Sequence, residues 1–299
     1  MKRISYVLVL ALLSLPGVAQ KTAQKTAQKT DQWTPAEQAM GRNGDRQPDG
    51  AIKFSFPRSD LKVSVNGTPI ATGLALGGWV ALYGSADNAM AMGDLVLTED
   101  ELPKAMSKLL GTSVAVAAVH NHLQNESPRV MYMHITGHGK ASEVAQTIAA
   151  ALAAAAVPPA AAPGSASSAT LPVDQKKMET CIGGSGKARP PLLSFSLPTD
   201  PVITEQGMKV PNSAGLNTAI NLQFVSAERA LATGDFVLPG DRVNPVAKAL
   251  TDGGIRVTAL HSHMLDESPR LLFMHFWADG APDSVCATLR KALDAAKAK

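Results

Sequence analysis

Apolar and polar side chains alternate over Ile52 to Phe56 and Leu61 to Val65, which predicts two short strands, the second closed by the turn pair Asn66-Gly67. Two longer apolar segments, Leu76 to Leu82 and Ala89 to Leu97, predict a further pair separated by the polar turn Gly84-Ser85-Ala86-Asp87-Asn88. The acids in Thr98-Glu99-Asp100-Glu101 favour a helix N-terminus, and that helix is expected to run to about Leu110 and stop at Gly111. A strongly apolar strand from Val114 to His122, a turn around Ser127-Pro128, a returning strand from Val130 to Thr136 and a helix from Ser142 to about Leu152 complete the unit. Strands, helix, hairpin and helix in that order predict an α+β domain, an antiparallel sheet with helices packed on one face.

The same unit occurs twice. Phe54-Ser55-Phe56-Pro57 matches Phe195-Ser196-Leu197-Pro198, Gly93-Asp94-Leu95-Val96-Leu97 matches Gly234-Asp235-Phe236-Val237-Leu238, and His120 matches His261, all at an offset of 141 residues. From Gly93 to Gly139 the copies align without a gap and agree at about a third of positions, which marks an internal duplication. Residues 33–152 and 175–299 are read as two homologous domains packed side by side. An Ala/Pro/Ser-rich linker over 153–174 separates them, its helix-breaking prolines including Pro158-Pro159. A flexible leader over 21–32 repeats Lys-Thr-Ala-Gln.

Residues 1–20 read as a signal peptide: Lys2 and Arg3, an apolar run from Ile4 to Leu15, then Pro16 and small residues before a polar stretch. The run is short for a membrane span and no later one replaces it, so a soluble periplasmic or secreted protein is expected after cleavage. Among 299 residues the hydrophobic fraction of 45% and the charged fraction of 18% suit a globular chain. Net charge is +3 and the basic residues are scattered, with no basic stripe interleaved with aromatics, which argues against nucleic acid as a partner. A small molecule or an envelope component fits that reading better, and nothing fixes the oligomeric state. Cys181 and Cys286 are the two cysteines; an oxidising compartment permits a bond between them, and sequence leaves the pairing open.

Candidate chemistry concentrates in H-x-H-x3-E-S-P-R-x4-H, present in both copies, and six of the seven histidines occupy it. His120 and His122 are two apart on a strand and leave one face; if His122 faces His134 across the hairpin, three imidazoles converge. His261, His263 and His275 repeat the arrangement. Three imidazoles suit a divalent transition metal, zinc foremost, with copper, iron or manganese as alternatives. Glu126 and Glu267 are candidates for a further ligand, a partner orienting an imidazole, or a general acid/base; Arg129 and Arg270 could pair with them or clamp an anion. Asp94 and Asp235 follow a glycine and read as turn residues in preference to site residues. Met133 and Met274 adjoin a motif histidine, point to the opposite face and read as core, as do Trp79 and Trp277. The seventh histidine, His138, is matched by Asp279 and would make the two copies unequal if it reached the site.

G-D-L-V-L-T-E-D, H-N-H-L-Q-N-E-S-P-R-V-M-Y-M-H and H-S-H-M-L-D-E-S-P-R-L-L-F-M-H-F-W resemble the LppY/LpqO-type family of bacterial exported proteins, a domain-of-unknown-function family, over Asp31 to the C-terminus. The resemblance implies export and tandem copies and carries no activity; the lipobox cysteine of its lipoprotein members is missing here. Three readings follow: a metal-binding protein, extending to a metal-dependent enzyme; a non-catalytic binding protein for a small anionic ligand; and a purely structural motif.

Overall fold

The computed structural model describes Met1 and residues 31–158, 169–199 and 202–297, so the signal peptide, most of the leader and the centre of the linker lie outside the described residues. Residues 32–299 form one compact unit. Repeat one begins with α1 (Thr34–Met40), β1 (Asp45–Arg46), β2 (Ile52–Pro57), β3 (Ser64–Val65), β4 (Thr68–Pro69) and α2 (Thr72–Ala75). It continues with β5 (Gly77–Gly84), β6 (Ala89–Thr98), α3 (Leu102–Leu109), β7 (Val114–His120), β8 (Glu126–Ser127), β9 (Val130–Gly139) and α4 (Ala141–Ala154). Repeat two opens with α5 (Gln175–Ile182), β10 (Lys187–Arg189), β11 (Leu192–Leu197), β12 (Thr204–Glu205) and β13 (Met208–Lys209). After a 3-10 turn at Asn212–Ala214 come β14 (Thr218–Phe224), β15 (Ala230–Pro239), α6 (Val243–Asp252), β16 (Arg256–His261), β17 (Glu267–Ser268), β18 (Leu271–Gly280) and α7 (Pro282–Lys297).

Each repeat is an antiparallel six-stranded sheet with helices on one face, in the order β1-β2-β5-β6-β9-β7 and β10-β11-β14-β15-β18-β16. Period-two alternation divides the work of each strand. On β9, Met133 and Ile135 turn to the helices and join Val144, Ala145 and Ile148 of α4 in one core. Tyr132 turns the other way, into a second apolar cluster that includes Leu231 and Trp277 of repeat two. A third cluster packs Tyr83, Met90 and Met92 of repeat one against Leu216, Met264 and Phe273 of repeat two. The helix-free faces of the two sheets therefore cover each other, giving helices, sheet, sheet and helices as layers. This explains why β6 and β15 read as nearly unbroken apolar runs: a strand covered on both faces has little use for alternation.

Two connections tighten particular places. The predicted turn at Asn66-Gly67 joins β3 to β4, with φ of 48° and 78°, a left-handed pair that Asn and Gly tolerate. Cys181 of α5 and Cys286 of α7 form a disulfide, their Cα atoms 6.2 Å apart. The matching helices of repeat one, α1 and α4, instead bury Met40 and Ala145 in their core.

Candidate metal centre

The histidine hairpin differs from its expected form in register. Ala118, rather than His122, lies opposite His134, and His120 lies opposite Tyr132, beyond a bulge between Val116 and Ala118. β7 stops at His120 because the Asn121 side chain accepts the Leu123 amide at 2.8 Å and draws the chain off the ladder. The displacement is even, so all three imidazoles keep the same face. Repeat two does the same, with Ala259 opposite His275 and His261 opposite Phe273.

What the histidines face is the other repeat. Rings of His120 and His261 have centroids 3.8 Å apart, those of His122 and His275 3.7 Å, and those of His134 and His263 3.7 Å. Six imidazoles thus form one cluster across the junction, related by the approximate twofold of the duplication. Donor atoms of His120, His122, His134 and His275 lie within 4.8 Å of one another, and so do those of His134, His261, His263 and His275. His134 and His275 belong to both groups.

The backbone sets the direction of these two shared rings. His134 Nδ1–H donates to the Gly93 carbonyl at 3.2 Å and His275 Nδ1–H to the Gly234 carbonyl at 2.9 Å; a carbonyl only accepts, so each Nε2 keeps a free lone pair. All six imidazoles contribute at least one buried nitrogen with no protein partner. Burial, and then the neighbouring imidazoles, hold His120, His122, His134 and His263 below the ordinary histidine range. His261 and His275 are lowered by burial against the pull of Asp235.

Asp94 and Asp235 are not turn residues. Each lies in the middle of a central strand, directly opposite the third histidine of its motif, Asp94 beside His134 and Asp235 beside His275. The preceding glycine serves close packing in place of a turn: a Cβ at Gly234 would lie 2.0 Å from the Ala219 carbonyl oxygen. Asp94 Oδ2 is 3.5 Å from His122 Nε2, and Asp235 Oδ2 is 3.2 Å from His263 Nε2. These distances suit ion pairs, yet burial raises both carboxyls, Asp235 further raising Asp94, while burial lowers the histidines. The protein alone therefore favours neutral forms on both sides, since an isolated charge there is poorly solvated. A cation among them lets the carboxylates ionise and the imidazoles stay deprotonated. The donor set of imidazole nitrogens and carboxylate oxygens fits a divalent transition metal. The signal in the sequence was an acid inside an otherwise unbroken apolar run.

The structure does not bring the remaining motif residues among the imidazoles. Glu126 accepts from Asn121 Nδ2 at 2.7 Å and Glu267 from Ser262 Oγ at 3.0 Å, so each grips the residue between the first two histidines. Arg129 is exposed and 3.3 Å from Glu99, whereas Arg270 is exposed and 3.3 Å from Glu267. Neither arginine lines the cavity beside the cluster. His138 bonds Gln206 and Asn88 at the exposed end of β9 and does not reach the centre, and its counterpart Asp279 pairs with Arg229. Met133 and Met274 are buried among the helices, and Trp277 packs in the core. Trp79 lines the cavity.

That cavity, about 590 Å³, reaches His122, His134, His263, His275, Asp94 and Asp235 from between the sheets. The histidine and aspartate cluster thus stands beside a chamber of small-molecule size.

The chain belongs to the family described as Domain of Unknown Function (DUF1259), which matches residues 34–154 and again 176–295. No curated protein matches it. Among solved structures, it is similar to EtuB from Clostridium kluyveri at 11% identity and a TM-score of 0.20, covering 84% of this chain and 89% of that one. A trimeric bacterial microcompartment shell protein, PduB, matches at 11% identity and a TM-score of 0.21, covering 85% and 90%. At those TM-scores neither likeness bears on fold or function. Among the described residues no helix is long and apolar enough to cross a membrane.

Proposed function

We propose that this protein is an exported metal-binding protein with one composite centre per chain, built at the junction of its repeats and served by a small-molecule cavity. The observation that carries the reading is the set of six imidazoles, three buried and three half-buried, each with a buried unpartnered nitrogen, beside the buried Asp94 and the half-buried Asp235. Leaving one buried polar group unpaired costs about 1–3 kcal/mol, and six such losses compare with a whole domain's net stability of about 5–15 kcal/mol. A bound zinc ion returns roughly 10–16 kcal/mol in small zinc domains, enough to offset them.

His134 and His275 are the central ligands, joined by His120 and His122 or by His261 and His263, with Asp94 and Asp235 at hand. Zinc is the first candidate, with copper, iron and manganese as alternatives. When bound, such a metal supplies a Lewis acid facing the cavity. Glu126 and Glu267 act as positioning residues, holding Asn121 and Ser262 so that the flanking imidazoles keep their direction. Asp94 and Asp235 are better placed than the glutamates to carry protons, since both line the cavity. Export is supported by the signal-like N-terminus, by the disulfide and by the resemblance to LppY/LpqO-type proteins.

Metal analysis of protein purified without a histidine tag tests the reading. After reloading with zinc, copper, manganese or iron, about one equivalent per chain is expected, because the two four-imidazole groups share His134 and His275. Metal far below one equivalent with every ion sinks it. The cross-repeat ring stacking favours a second reading in which the histidines only pack the junction. Under it, replacing the six histidines would destabilise the chain without releasing any metal.

A further inference from the structure

The twofold relation holds for the imidazoles and fails in the cavity walls. Strand pairing identifies equivalent positions: Trp79 lies opposite Asp94, and Ala219 lies opposite Asp235. One row along, Lys53, Ala81 and Met92 are neighbours in repeat one, where repeat two has Ser194, Asn221 and Thr233. On the repeat-one side the Trp79 indole fills the space under Gly215, where a Cβ would come within 2.7 Å of it. Lys53 Nζ sits 4.1 Å over that indole and donates to the Ser213 carbonyl at 3.2 Å. On the repeat-two side Ala219 is too small to fill the corresponding space, and Asn217, Asn221 and Thr233 line the cavity.

Two of these residues carry polar atoms that nothing in the protein answers. Thr233, only 3% exposed, has an unpartnered Oγ1, and Asn217 has an unpartnered Oδ1. Asn217 Nδ2 donates to Ser196 Oγ at 2.8 Å, which leaves its oxygen as the atom awaiting a donor.

We propose that the repeat-two half of the cavity binds a small neutral polyhydroxylated molecule, a sugar or polyol, beside the metal centre. An amide oxygen only accepts, so its partner must bring a hydrogen; a carboxylate or phosphate oxyanion brings none, whereas a ligand hydroxyl donates to Asn217 and meets Thr233 in either role. Lys53 is the only lysine or arginine on the described walls, and Ser213 and Trp79 already hold it. Asp49, Asp94 and Asp235 line the same chamber, and once ionised they offset the charge of a divalent metal held among the imidazoles, so an anion gains little there. The filled half and the open half also give the chamber a direction, which a symmetric duplication by itself lacks. The inference rests on the metal reading above, because the proposed ligands close the chamber.

Calorimetric titration of the zinc-loaded full chain with mannitol, glucose, myo-inositol and gluconate tests it. Saturable binding of at least one neutral polyol, tighter than that of gluconate, is expected. Thr233→Val, nearly isosteric, should weaken it at least tenfold with zinc content and melting temperature preserved, and Ala219→Trp should abolish it. No binding of any neutral polyol, tighter binding of gluconate, or unchanged affinity in Thr233→Val overturns the proposal. Zinc is measured in the same samples. Polyol binding that is sensitive to Thr233→Val in a chain that takes no zinc keeps this inference and sinks the metal reading; zinc uptake without polyol binding does the reverse.

Discussion

Repeat one turns Lys53 and Trp79 toward the cavity, where the matching positions of repeat two are Ser194 and Ala219 and only Ala219 lines it, yet both repeats present three imidazoles and an aspartate at matching places. Positions at the junction face each other and depend on each other, so a change in one repeat is felt in both. Along the cavity walls, also between the repeats, Lys53 and Trp79 meet Ser213 and Gly215, and there the copies have separated. The glutamates follow the same rule: Glu126 and Glu267 both grip the residue between two histidines, although that residue is Asn121 in one copy and Ser262 in the other. The nearby arginines, which are exposed, choose different partners.

The sharpest way to break the comparison is at the shared ligands. His134→Ala and His275→Ala should each lower zinc affinity by about 100-fold or more, since even outer partners of metal ligands are worth about 10–100-fold. Competition with a chromophoric chelator measures this, and a large inequality between the two would show that the centre sits in one repeat. Next in size is the disulfide, which exists only in repeat two. Cys181→Ser with Cys286→Ser should cost about 2–5 kcal/mol in denaturant unfolding, for a bridge between residues 105 positions apart, with zinc stoichiometry unchanged.

Acid stability separates the repeats more finely. The six histidines are held below their ordinary value of about 6.5, burial being the first cause, so below that pH the unfolded chain binds more protons than the folded one. Metal-free protein should therefore be most stable above about pH 6.5 and lose stability as the pH falls from there toward the lowered folded values. Asp94 and Asp235, raised by burial, pull the opposite way between about pH 4 and their folded values, and two groups offset six only in part. Asp235 partly restores His261, while His120 has no such compensation, so His120→Gln should flatten the acid limb more than His261→Gln. Urea midpoints from pH 7.5 to 5 check the order. The smallest effect belongs to Arg129: Arg129→Ala should change stability by no more than about 0.5 kcal/mol because its pair with Glu99 is exposed at both ends, whereas Arg270→Ala leaves the buried Glu267 without its cation and should cost more; neither should alter zinc affinity. A loss of metal in either variant would bring the arginines back into the site.

Local pattern made much of this legible. Alternation and turn chemistry located β2, β5, β6, β9, α3 and α4 to within a few residues, and the fixed offset exposed the duplication, because these depend on neighbours in the chain. The histidine motif stood out by composition, and the even spacing of its members kept them on one face although the pairing register was displaced. Asp94 and Asp235 were passed over because Gly-Asp is ordinary turn chemistry, and only coverage of the strand on both faces reveals the acid as buried. Two three-histidine sites became one six-histidine cluster for a related reason. A strand's own sequence fixes which side chains leave each face, but the partner of that face is chosen when two sheets, coded more than a hundred residues apart, bury their helix-free surfaces against each other. The sequence by itself determined the repeat, the strands and the ligand types; the tertiary structure decided that the ligands meet across the junction, that aspartates join them, and that one side of the chamber stays open.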